Sequence, residues 1–233
     1  MTSRDRSRAR SSKVRLQKSK GRTESSKRWL ARQLSDPYVA AAKRAGYRSR
    51  AAYKLEEVAS KYGLLNQGDV VVDLGAAPGG WSQIAAQRVG AAEGKGTVVA
   101  LDVLAMDPIP GVIALRQDFT EPAAVEKLLE ALGGRRANAV LSDMAAPATG
   151  HRRTDHLRIV GLAEEALAFA AGILAPGGAF LCKVFQGGGE KSFLDALKRD
   201  FATVRHLKPK ASRPESPELY VLATGFRGHQ TGL

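Results

Sequence analysis

The chain has 233 residues, 44% of them hydrophobic, and a formal net charge of +13. That length accommodates one α/β domain with an appendage, and no apolar run approaches the roughly 18 residues a membrane-spanning helix needs. A single cysteine, Cys182, and four histidines exclude a disulfide framework and offer no zinc-ligand spacing. The chain is therefore expected to work without a metal in a reducing compartment, the cytoplasm.

The charge is unevenly placed. Residues 1–50 hold 16 Lys/Arg against three Asp/Glu, whereas residues 51–233 hold 20 of each. A near-neutral globule thus carries a basic arm. Residues 1–28 lack apolar periodicity and are expected to be disordered. Such an arm attracts a phosphate backbone through counterion release, so a nucleic acid is the expected partner. No apolar stretch follows the basic start, which argues against a secretory signal. The folded domain is expected over 29–228, followed by a short tail at 229–233, and nothing in it requires more than a monomer.

From Trp29 the pattern turns helical, and Asp36-Pro37 offers N-cap and N1 chemistry for a helix start. A second helix is predicted over 49–61, with Tyr53 and Lys54 near its first turn. Short apolar runs at 70–74, 97–101, 112–115, 137–142 and 179–184 read as buried parallel strands. Helices at 80–89, 121–132, 156–174 and 191–201 separate most of them. The segments 202–207 and 219–224 are strand-like with no helix between, and are expected to pair antiparallel at one edge. The sum is a Rossmann-like α/β fold, a doubly wound and mostly parallel sheet whose ligands lie beyond the carboxyl ends of the strands. Cys182, within the apolar run 178–182, is expected in the core.

Several residues therefore fall on one rim. The first strand runs into Asp73-Leu74-Gly75-Ala76-Ala77-Pro78-Gly79-Gly80-Trp81. Its small residues admit close approach of a ligand, yet the Gly-x-Gly-x-x-Gly of dinucleotide binders is missing and Pro78 has no N–H for a pyrophosphate. S-adenosylmethionine, which has no phosphate, suits the loop better. Asp102 at the second strand tip can take its ribose hydroxyls, and Asp118 after the third strand can accept from its adenine amine. Lys54, Asp143, Lys183 and Glu218 form a further constellation. Lys183 lies in an apolar stretch that weakens its hold on a proton, and a carboxylate beside each lysine would orient it. An amine so placed could accept the proton of an attacking hydroxyl. Lys43, Arg44, Arg48 and Arg50 precede Lys54, while Arg205, Lys208, Lys210 and Arg213 precede Glu218. Both groups are candidates for RNA phosphate contacts.

The stretches Ser35-Asp36-Pro37-Tyr38, 48–55, 72–83, 102–108, Gln117-Asp118-Phe119, Ser142-Asp143-Met144-Ala145, 174–178 and 183–187 together resemble the FtsJ family. Within that family the likeness is to bacterial ribosomal RNA large-subunit methyltransferases, and it covers about 29–226. The resemblance implies a Lys-Asp-Lys-Glu catalytic tetrad at Lys54, Asp143, Lys183 and Glu218. It also implies S-adenosylmethionine binding at Gly79, Trp81, Asp102, Asp118 and Asp143, to which the loop itself adds Gly75. The implied activity is 2′-O-methylation of a uridine in the A loop of 23S rRNA, within the large ribosomal subunit, in support of ribosome assembly. Two departures stand out. Ala146-Pro147-Ala148 replaces the Pro-Asn that family members place after Met-Ala, and the basic arm is longer.

Overall fold

The computed structural model describes residues 34–146, 149–185 and 191–228. The basic arm 1–28, Trp29, the motif positions 147–148 and 186–187, and the tail 229–233 lie outside the described residues.

Alternation along the central strands sets the layers, because successive strand side chains point to opposite faces. On β1 (Val70–Leu74), Val70, Val72 and Leu74 join one core and Val71 joins the other. The same split recurs on β2 (Thr97–Asp102), where Val99 and Leu101 oppose Val98. It recurs on β4 (Ala137–Ser142) and on β5 (Leu174–Phe185), where Phe180, Cys182 and Val184 oppose Leu181. Helices α4 (Pro122–Leu132), α5 (Arg152–Ile173) and α6 (Lys191–Asp200) cover the first face. Helices α2 (Ala52–Tyr62) and α3 (Gly80–Val89) cover the second. Cys182 is 1% exposed in the first core, and burial pushes its thiol up to about 12.

With β3 (Val112–Arg116), β6 (Phe201–Leu207) and β7 (Glu218–Phe226), the seven strands run in the order β3-β2-β1-β4-β5-β7-β6. The first five are parallel. β7 pairs antiparallel with both β5 and β6. The expected hairpin thus forms, with its second strand inserted beside β5. Strand order reverses at β1, between β2 and β4, the place where a doubly wound sheet opens a crevice.

Two elements differ from expectation. β3 is the sheet's edge and is not buried: Ile113 is 41% exposed, because one flank of the strand has no neighbour. β5 begins at Leu174 rather than 179. Leu174 pairs with Ala137 and Ala179 with Ala139, so the Pro-Gly-Gly segment between them bulges out of the ladder without ending the strand. Breaker residues hid this extension from a reading by periodicity.

Asp36 starts α1 (Pro37–Arg44) as anticipated: its carboxylate accepts from the Tyr38 N–H at 3.0 Å, and proline occupies the first turn. The same carboxylate is also the anchor for two arginines, Arg50 and Arg213. Asp36→Ala should therefore cost about 2–4 kcal/mol, combining a lost cap with two cations left without their partner. Asp36→Asn, which keeps the cap acceptor, should lose less. Urea denaturation midpoints of the two variants check the ranking.

Candidate active site

The carboxyl rim of the parallel strands is built from chain ends that sequence order keeps far apart. Because β7 runs antiparallel, its first residues lie where β5 finishes: Glu218 faces Phe185, and Tyr220 faces Lys183. Lys54 arrives from the first turn of α2. Asp143 follows β4 directly.

These side chains form one connected path. The Lys54 Nζ donates to Glu218 Oε1 at 2.6 Å and to the Tyr220 hydroxyl at 3.1 Å. Tyr220 in turn donates to Asp143 Oδ1 at 2.8 Å. Lys183 Nζ donates to that same oxygen at 3.1 Å and to the Asp143 carbonyl at 2.6 Å. At the other end, Ser212 Oγ donates to Glu218 Oε1 at 2.9 Å. Lys54 and Lys183 are 9% and 8% exposed, so each ammonium depends on its carboxylate for compensation. The sequence reading anticipated the four charged members but neither Tyr220 nor Ser212. Tyr220 holds the path's centre, and burial drives its phenol well above the ordinary tyrosine range, with the charges of Asp143 and Glu218 adding to the rise. It therefore stays a neutral donor at physiological pH. Its position two residues after Glu218, on the same strand face, was the available clue.

Beside this path a cavity of about 810 Å³ opens between the ends of β1, β2 and β4 and the wall of α5. Gly75, Asp102, Asp118, Asp143 and Met144 line it. Gly75 has φ +73°, and a Cβ there would come within 2.8 Å of the Met144 backbone, so any side chain would both strain the turn and close the approach. Asp102 Oδ2 accepts from Ala77 N–H at 2.9 Å and Oδ1 from Leu104 N–H at 2.8 Å. Each oxygen keeps a further lone pair for a ligand hydroxyl. Asp118 accepts from Thr120 N–H and Oγ1, and these bonds, the backbone one first, lower its pKa.

Two of the residues expected at the cofactor site sit elsewhere. Trp81 is 2% exposed; its indole N–H reaches the Ala51 carbonyl at 2.8 Å and its ring packs on Tyr220 at 5.6 Å. It belongs to the core between α2 and the sheet, because the first turn of α3 directs it away from the cavity. Gly79 does not line the cavity either. It turns with φ +107°, packed against Met106, Ile109 and the Arg48 guanidinium.

The basic candidates divide. Arg48 donates to the carbonyls of Asp107 and Pro108 at 2.6 and 2.7 Å and approaches Pro78 O at 3.4 Å. Arg50 binds Asp36 and the Ala211 carbonyl, and Arg213 binds Asp36 at 3.1 Å. Lys208 donates to Pro214 O and Ser216 O at 3.1 and 2.8 Å. These four, expected to face RNA, direct donors to loops around the site. The side chains of Lys43, Arg44, Arg205 and Lys210 are exposed and have no partner among the described residues.

Asp73, at the head of the loop, is fully buried. Ser82 Oγ donates to its Oδ2 at 2.6 Å, whereas Oδ1 has no partner among the described residues. Burial is the chief cause that pushes its carboxyl up to about 7; the Ser82 bond opposes the rise, and the charges of Asp143 and Asp102 add to it. An orphaned acid beside a glycine turn is a ready acceptor for a cationic group.

The comparisons with known proteins agree with this geometry. The sheet order and rim site define a Rossmann-like fold of the class I methyltransferase type. An FtsJ-like methyltransferase family model matches residues 47–226, and the chain belongs to that family. It is 62% identical to the ribosomal RNA large subunit methyltransferase E of Xanthobacter autotrophicus, over 93% of this chain and 85% of that protein. The enzyme of the same name from Rhodopseudomonas palustris strain BisA53 is 64% identical over 92% and 91% of the two chains. Among solved structures, a ribosomal RNA methyltransferase of Plasmodium falciparum superposes with TM-score 0.69 at 30% identity, covering 78% of this chain and all of that one.

Two outcomes are expected. Arg48→Ala should loosen both loops that border the cavity and raise the KM for the methyl donor about tenfold, with a smaller change in kcat; steady-state kinetics in the donor concentration checks the split. For Asp73, a folded pKa above the unfolded value of about 3.9 means that the native state binds the proton more tightly. That contribution is present at low pH and lost as pH rises through about 7. Denaturation midpoints of the wild type should therefore fall relative to those of Asp73→Asn between pH 5 and 8.5, whereas parallel curves would contradict the assignment.

Proposed function

We propose that the chain transfers a methyl group from S-adenosylmethionine to the ribose 2′-hydroxyl of a uridine in the A loop of 23S rRNA, acting on the large ribosomal subunit. The observation that carries this reading is the path Glu218–Lys54–Tyr220–Asp143–Lys183 beside the cavity. The names of relatives more than 60% identical support the substrate class.

The residues present fit the donor. The unpaired Asp73 oxygen suits its amino group, Gly75 leaves room for close approach, and the Asp102 and Asp118 carboxylates can accept from its ribose and adenine. Bound there, the cofactor supplies an electrophilic methyl group on a sulfonium. The chain's own residues then have three tasks. Asp143 reaches both cavity and path, so it couples donor and acceptor. Lys183, held by Asp143, would take up the proton of the ribose hydroxyl as the methyl group passes from the donor's sulfur to that oxygen. Glu218 and Tyr220 fix Lys54 beside the same spot, where its ammonium stabilises the negative charge developing on the attacking oxygen.

The experiment is incubation with labelled S-adenosylmethionine and large subunits from a strain lacking this modification, followed by mapping of the label. Label on a 23S rRNA ribose is expected, and none there rejects the reading. Lys183→Arg should abolish transfer nearly as completely as Lys183→Ala, because a guanidinium remains protonated. Substantial transfer by the arginine variant would assign Lys183 a purely electrostatic task.

A further inference from the structure

Helix α5 is longer than the strand it follows. Its last residue, Ile173, leads directly into Leu174, which pairs with Ala137 at the foot of β4. From Ala137 to Ser142 the strand climbs about 17 Å. From Ile173 back to Ile159 the helix climbs about 21 Å, with about 10 Å still to go to its first residue. Burial follows the same division. Ile159, Val160, Ala163, Ala166, Leu167 and Ala170 are all packed, whereas Arg153, Leu157 and Arg158 before them are exposed. The first two turns of α5 therefore stand beyond the strand ends, on the rim that carries the site.

Those turns are basic. The side chains of His151, Arg153, His156 and Arg158 have no hydrogen-bond or ion-pair partner among the described residues. His156 lies at helical spacing before the buried Val160, Ala163 and Leu167, on the same face of the helix. Arg158 lines the cavity together with Asp143, Met144, Ala145 and Ala146. The one acid among these positions, Asp155, is committed: it accepts from Thr149 N–H and Oγ1 at 2.7 Å and from Gly150 N–H at 3.3 Å. The Thr149 bonds lower the Asp155 pKa, helped through space by Arg158, but neither Arg153 nor Arg158 closes an ion pair among the described residues, unlike Arg50 and Arg213.

We propose that the projecting turns of α5, through Arg153, His156 and Arg158, are the surface that grips the phosphates of the RNA strand flanking the acceptor nucleotide. The inference rests on the RNA substrate of the proposed function. It assigns the contact to a part of the rim that no catalytic group occupies. Two exposed guanidiniums on one projecting segment, with the His156 ring as a further polar contact and Arg158 lining the cavity, suit a polyanion lying along this rim.

Binding of the full chain to unmodified large ribosomal subunits, measured over a salt series, tests the assignment without requiring turnover. Arg153→Ala combined with Arg158→Ala should weaken binding about tenfold or more at low salt. The same pair should flatten the dependence of log affinity on log salt by roughly one for each phosphate no longer neutralised. Arg153→Lys should restore most of its share, and melting temperatures establish that the variants fold. Unchanged affinity and slope would overturn the proposal. So would weakened binding with an unchanged slope, because the contact would then be to a ribosomal protein and not to phosphate. Failure of the parent reading has a different signature, namely a wild-type chain that binds subunits yet leaves no label on ribose.

Discussion

The antiparallel ladder between β5 and β7 is the constraint from which the site follows. In a purely parallel sheet every strand reaches the carboxyl rim with its last residues. By running the other way, β7 delivers its first residues there, and its register sets Glu218 and Tyr220 opposite Phe185 and Lys183. A slip of one residue would turn both side chains to the other face of the sheet. That is why this ladder is buried on both faces over most of its length, where packing tolerates one register only.

Ionic groups concentrated at this rim are poor contributors to stability. Two lysines below 10% exposure and a fully buried aspartate carry desolvation costs that their partners only partly offset. The molecule compensates in the surrounding scaffold. Arg48 ties the turn after β1 to the loop after β2. Asp36 draws Arg50 and Arg213 together, and Arg50 holds the backbone at Ala211, next to the Ser212 that supports Glu218. Cations near the site thus fall into two populations, one occupied with the chain itself and one facing outward, at Lys43, Arg44, Arg205 and Lys210 and on the projecting turns of α5. Charge counts along the sequence cannot separate them, because an arginine bonded to three carbonyls and an arginine in solvent look alike in one dimension.

Most of the scaffold was legible in the sequence for a simple reason: its signals are local. Hydrophobic period, the Asp-Pro helix start and the glycine-rich turn each depend on neighbours within a few residues, so strands, helices, their alternation and hence the Rossmann-like sheet could be read directly. The family resemblance extended that reading to Lys54, Asp143, Lys183 and Glu218. Where local signals conflicted with long-range ones the reading slipped, as at Pro176-Gly177-Gly178 within β5 and at the edge strand β3. Only the tertiary structure decided matters of direction and partnership: that Trp81 turns into the core, that Tyr220 links Lys54 to Asp143, that Arg48, Arg50, Lys208 and Arg213 spend their donors on backbone and Asp36. Those outcomes depend on which residues, separated by as many as 177 positions, arrive within a hydrogen bond of one another. Spacing along the chain carries no record of that; the sheet order and the antiparallel β7 do.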